Sequence, residues 1–129
     1  EIKQQLFDQL VGRIASIQLN FSVASENITP QMQPSLQRLY LYIQQLTPIA
    51  KELNIDFGLL ILGSSDNTGN KSTNNILSMK RANNTAEILQ RKGIAKDRMY
   101  VVGLGQIDIK NISSTARSVM FNVIYNSHN

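Results

Sequence analysis

The chain has 129 residues, 42% hydrophobic and 17% charged, enough for one domain whose core buries roughly two thirds of the unfolded surface. With no cysteine and a single histidine, His128, it offers no disulfide, no cysteine-ligated zinc and no histidine pair for a metal. The net charge of +4 is spread over 13 scattered Lys and Arg residues, so no basic run marks a nucleic-acid or membrane-surface patch.

Residues 1–13 carry Ile2, Leu6, Leu10 and Val11 at helical spacing, with Gly12 as a stop, and are read as a short helix or ordered lead-in. Residues 15–21 alternate, Ile17, Leu19 and Phe21 against Ser16, Gln18 and Asn20, the period of a half-buried strand. Residues 22–33 are polar and proline-flanked, which predicts a loop. Residues 35–54 give the clearest helix: Leu36, Leu39, Ile43, Leu46, Ala50 and Leu53 form one apolar stripe. The stripe is too short for a coiled coil and reads as core-facing. Pro34 suits the first turn; Pro48 is expected to kink or divide the helix.

Residues 56–63 are a continuous apolar run, expected to be a central strand buried on both faces. Residues 64–73 form a polar loop. Residues 74–92 are helical, with Leu77, Ala82, Ala86 and Leu89 inward and Gly93 as the stop. A third strand spans 99–104, a loop 105–116, and an alternating strand 118–125 with Val119, Phe121, Val123 and Tyr125 on one face.

The order β-α-β-α-β-β predicts an α+β fold: a mixed four-stranded sheet, its last strand antiparallel, with two main helices on one face and an optional N-terminal helix. The expected organisation is a lead-in helix or linker over 1–14 and one domain over 15–129. No stretch reaches the length of a membrane span. The chain starts at Glu1, not Met, and is expected to be a processed or excised piece of something longer, with any membrane attachment in the absent part.

Ligands gather at the carboxyl ends of strands in such sheets, which draws attention to the segment after the central strand. There the sequence runs Gly63-Ser64-Ser65-Asp66-Asn67-Thr68-Gly69, then Asn74, Leu77, Ser78, Arg81 and Ala82. These residues resemble the OmpA-like domain family, whose strand ends in Gly-x-Thr-Asp and whose next helix carries Asn-x-x-Leu-Ser-x-x-Arg-Ala. Val102-Gly103-Leu104-Gly105 resembles the family's Gly-x-Gly, and Arg117-Ser118-Val119 its Arg-Arg-Val. The resemblance covers about residues 16–125. Departures are Ser65 for Thr, Ser22 and Ala24 where an acid and Gly are common, Ser118 for the second Arg, and a short, proline-free loop over 106–116.

The resemblance implies a non-enzymatic domain in the periplasm of a Gram-negative bacterium. Its ligand would be peptidoglycan, held through the meso-diaminopimelate of the stem peptide, with no cofactor. That amino acid's free end bears an ammonium and a carboxylate on one carbon. Asp66 is expected to accept from the ammonium and Arg81 to fork onto the carboxylate. Asn74 is expected to cap the helix or tie down the loop, Thr68 to lie in the binding loop, and Arg117 to line the pocket or pair with Asp66. Without the motif, Asp66 and Arg81 read simply as a surface ion pair worth about 0–1 kcal/mol.

Other classes fare worse. Gly103-Leu104-Gly105 lacks the third glycine and the following helix of a dinucleotide fingerprint. Tyr40 and Tyr42 read as helix packing rather than a base-stacking platform. Catalysis lacks a cysteine, a usable histidine and paired carboxylates. The rival is a protein-interaction or assembly domain for envelope partners on the same fold, with peptidoglycan binding lost.

Overall fold

The computed structural model describes residues 1–66, 70–106 and 117–127. Its first helix, α1 (Ile2–Ala15), buries Phe7, Leu10 and Ile14. Gly12 does not stop it: a Cβ there would meet nothing within 4 Å, and the helix closes at Ser16, whose N–H and hydroxyl return to the last turn's carbonyls. Because the helix takes Ala15, strand β1 is shorter than the alternation suggests, Gln18–Asn20. The inward set Ile17, Leu19 and Phe21 is buried all the same.

A single 3-10 turn, Pro30–Met32, leads into α2 (Gln33–Glu52). This helix is one piece, with Pro48 inside it. The carbonyl that proline deprives of a partner belongs to Gln44, and both residues are exposed, so water can satisfy it. The predicted stripe is the buried one: Leu36, Leu39, Ile43, Leu46 and Ala50. Tyr40 and Tyr42 pack half-buried against the core.

Strand β2 (Ile55–Ser65) is followed by α3 (Lys71–Lys92), β3 (Met99–Gln106) and β4 (Ser118–Ser127). The sheet order is β1-β4-β2-β3. β3 lies parallel to β2, and β4 runs antiparallel between β1 and β2. The fold is α+β, a mixed four-stranded sheet with three helices.

All three helices lie over one face. Leu59 and Ile61 are 0% exposed on that side, and a Cβ on Gly63 would collide with the Ser78 carbonyl of α3. The paired Gly103 faces the Met79 backbone in the same way. The two glycines thus let α3 approach the sheet at backbone distance. Among the described residues, the other face carries no helix. Leu60 and Leu62 are only half-buried, and Tyr100, Leu104 and Ile124 are exposed. The expectation of a strand buried on both faces is corrected here: an apolar run alone does not distinguish a covered face from a merely crowded one.

Helix α3 also starts earlier than read. Asn70, not Asn74, is its cap, accepting from the Thr73 N–H at 2.9 Å. Gly93 ends it at φ 124°, a conformation suited to glycine.

Candidate functional site

The carboxyl end of β2, the first turns of α3, the segment after β1 and the residue before β4 meet at one end of the sheet. The parallel pairing of β2 and β3 slips by a bulge between Gly63 and Ser65, which sets Ser65 opposite Gln106 instead of Gly105. Ser64 and Ser118, both 0% exposed, bond across β2 and β4 through their hydroxyls at 3.1 Å. Ser118 stands where the resemblance leads one to expect a second arginine, and this buried hydroxyl pair occupies that position.

On α3, Asn74, Ser78, Arg81 and Thr85 are all buried. Their steps of four, three and four put one polar stripe on the face turned to the sheet. The Ser78 hydroxyl accepts from the Gly105 N–H at 2.8 Å. Asn74 is 5% exposed; its main-chain carbonyl accepts from Ser65, and its amide reaches Gln106 at 3.5 Å. It ties β2, α3 and β3 together rather than capping.

Arg81 is 0% exposed. Each guanidinium nitrogen donates to a main-chain carbonyl: Nε to Ser25 at 2.7 Å, Nη1 to Ser64 at 2.8 Å and Nη2 to Ser22 at 3.2 Å. The guanidinium carbon lies 5.2 Å from the centre of the Phe21 ring. Burial pushes its pKa below the ordinary arginine value, Asp66 opposes that, Arg117 adds to it, and Glu26 opposes. The group keeps its charge throughout.

Asp66 lies within Arg81's field, but its ion pair is with Arg117: Nη1 donates to Oδ2 at 3.1 Å. The side chains are 17% exposed for Asp66 and 39% for Arg117. Arg117 is itself anchored, its Nε on the Phe21 carbonyl at 3.2 Å and its own carbonyl accepting from the Phe21 N–H.

Of the five residues singled out from sequence, the structure brings Asp66, Arg81 and Arg117 into one electrostatic cluster. It places Asn74 beside them as a buried tie. Thr68 lies outside the described residues. What sequence reasoning missed is the strand-to-helix strap, residues 22–26, whose carbonyls cover Arg81. A Ser-rich stretch advertises no such role; the usable signal was the polar stripe on α3, in phase with its buried face.

Elsewhere, a cleft of about 460 Å³ at the opposite end of β2 is lined by Lys51, Asp56, Phe57, Asp97 and Arg98, among others. It mixes acids with cations and holds none of the motif residues. Among the described residues no helix is long and apolar enough to cross a membrane.

The sheet order, the glycine-seated helix and the buried arginine beside an accessible acid define an α+β domain with a charged mouth at one end. A family model matches residues 20–122, that of the OmpA family. The chain belongs to the OmpA family. It is 30% identical over 88 residues to outer membrane protein A of Serratia odorifera, covering 68% of this chain and 34% of that protein. Against the same protein of Salmonella typhi it is 30% identical over 86 residues, 67% of this chain and 23% of the other. The chain thus matches about a third or less of these relatives' length. Among solved structures, the peptidoglycan-associated lipoprotein from Burkholderia pseudomallei superposes with a TM-score of 0.65 at 22% identity, covering 87% of this chain and 92% of that one. The cell wall anchor of the T6SS from Pseudomonas aeruginosa gives 0.64 at 17% identity, covering 98% of each. At those identities the two structures speak to the fold.

Proposed function

We propose that this chain is a binding module rather than an enzyme. It holds peptidoglycan without covalent bonds, through the zwitterionic end of stem-peptide diaminopimelate. It thereby ties a longer envelope protein to the cell wall in the periplasm of a Gram-negative bacterium. Family membership supports the coarse part of this reading, as does a fold shared with a peptidoglycan-associated lipoprotein and a cell wall anchor.

The observation that carries the finer part is the partly exposed Asp66 carboxylate beside two guanidinium groups at the end of β2. Ammonium and carboxylate on one carbon need an acceptor and a cation within a few ångströms, already fixed by the fold. Asp66 receives the ammonium. The surrounding cations receive the carboxylate, and the buried ties through Asn74 and Ser78 keep the mouth in place.

The test is sedimentation with purified sacculi, with free diaminopimelate as competitor. The protein should pellet and be released by the amino acid. Asp66→Ala should fold and lose about 2–5 kcal/mol of binding, since the ligand ammonium is left without its carboxylate. Pelleting with no competition favours the assembly-domain reading instead. The closure of Arg81 by three carbonyls gives that reading its one specific support.

A further inference from the structure

The two edges of the sheet are unlike. β1 is three residues long, and shortness is one way an edge is kept from recruiting another chain. β3, the other edge, runs for eight residues, Met99–Gln106, without a charge or a proline. An edge strand turns a row of N–H and C=O groups away from its sheet, and among the described residues no strand pairs with the outer side of β3. The surfaces flanking that edge are neutral too. On the open face β3 presents Tyr100, Val102 and Leu104, with Tyr100 51% and Leu104 43% exposed. On the helix face α3 is seated across β2 and β3 at Gly63 and Gly103. Its flank toward β3 carries Asn75, Met79, Ala86 and Gln90, at steps of four, seven and four. The charges of that helix point elsewhere: Arg81 into the strap, Lys80 toward Glu26, and Glu87 to Arg91. Two copies of a chain of net charge +4 repel at long range. This flank is where they can meet without like charges face to face.

We infer that β3 pairs antiparallel with β3 of a second copy, across a two-fold axis at Val102, and joins two four-stranded sheets into one. Such an axis, perpendicular to the sheet, keeps the helices of both copies on one side. It sets Tyr100 opposite the partner's Leu104 twice over, an aromatic–aliphatic cross-strand pair, and Arg98 opposite the partner's Gln106. An axis at Val101 would instead set Arg98 against the partner's Leu104, and one at Gly103 would set Gln106 against the partner's Tyr100. Because α3 straddles β2 and β3, the two α3 helices come to stand about two strand spacings apart, roughly 10 Å, which is helix-packing distance. Met79, 38% exposed in the single chain, lies in that seam. The pairing is independent of the peptidoglycan reading, and it leaves both Asp66 mouths open at opposite ends of the joined sheet.

The experiment is sedimentation velocity of the full chain over a concentration series, joined to cysteine crosslinking. A monomer–dimer equilibrium with a dissociation constant of roughly 1–100 µM is expected. The chain has no cysteine, so single-cysteine variants report the register cleanly. Val102→Cys should form a disulfide dimer under mild oxidation, because directly opposed Cα atoms of an antiparallel pair stand about 4.5–5.5 Å apart, within disulfide reach. Tyr100→Cys and Leu104→Cys should link to each other when mixed, and neither to itself. Ile124→Cys, exposed on the same open face but two strands further in, should stay unlinked. Val102→Lys sets like charges opposite each other and should raise the dissociation constant at least about tenfold, with the circular dichroism spectrum unchanged. A monomer up to about 1 mM overturns the pairing and leaves the edge to an extended segment of another protein. A dimer in which Val102→Cys links no better than Ile124→Cys overturns it as well.

Discussion

Phe7, Leu10 and Ile14 are the buried side chains of α1, and Leu36, Leu39, Ile43, Leu46 and Ala50 those of α2; every one is apolar. On α3, Asn74, Ser78, Arg81 and Thr85 are buried with only Ala82 and Leu89 for hydrocarbon company. Two parts of one helical layer, over the same sheet, are therefore held by different physics. Hydrocarbon packing is non-directional and forgives exchanges of equal volume. A buried hydrogen-bonded arginine is directional and forgives almost nothing, because each lost donor strands an acceptor away from water. Precision is concentrated where the charged mouth needs it.

The comparison can be broken in several ways. The largest effect is expected from deleting residues 1–14, which removes three side chains each contributing about 1.5–3 kcal/mol by burial. Loss of the cooperative thermal transition, followed by circular dichroism, is the expected result; an unchanged midpoint would detach α1 from the core. Next comes Arg81→Met, which leaves the carbonyls of Ser22, Ser25 and Ser64 without this donor and should cost about 3–5 kcal/mol in urea unfolding. Leu39→Met on the hydrocarbon side should cost less than about 1.5 kcal/mol. Equal losses would erase the contrast. Gly63→Ala should cost about 1–3 kcal/mol, because the new methyl group collides with the Ser78 carbonyl and lifts α3 from β2; the reporter is faster amide exchange in the first turns of α3.

The smallest effect sharpens the picture at the surface. Lys3 lies 2.9 Å from Glu52, and that hydrogen bond and charge raise its pKa above the usual 10.5. A base whose folded-state pKa is raised stabilises the fold fully below its unfolded value, and the contribution is lost as pH climbs through the folded one. Glu52→Gln should therefore lower the melting point slightly below about pH 10 and leave it unchanged above, flattening the alkaline end of the profile.

The sequence made the hydrocarbon side legible and the polar side only in part. The α2 stripe was readable because six apolar residues repeat at one period, and Pro48 did not interrupt it because its cost falls on exposed backbone. Element ends were harder. Asn74 reads as the cap on paper, and only the hydrogen bond from the Thr73 N–H to the Asn70 side chain gives that role to Asn70. The charged cluster was legible as composition, Asp66 with Arg81 and Arg117. Which cation is sealed was not, because the carbonyls that seal Arg81 come mainly from residues 56 and 59 positions away in sequence. Main-chain acceptors carry no residue signature.

The direction in which β2 runs has a mechanical consequence. Its first residue, Ile55, pairs with Ser127 near the end of the chain, and Lys3 is joined to Glu52 just before that strand begins. Both described ends of the polypeptide thus lie about 33 Å from the Asp66 mouth, at roughly 3.3 Å per strand residue. Tension between that mouth and either end acts along the strands. It loads the β2–β4 rungs side by side, in shear, instead of opening them one at a time as a zipper would. A load applied in this way meets the longest seam of the sheet.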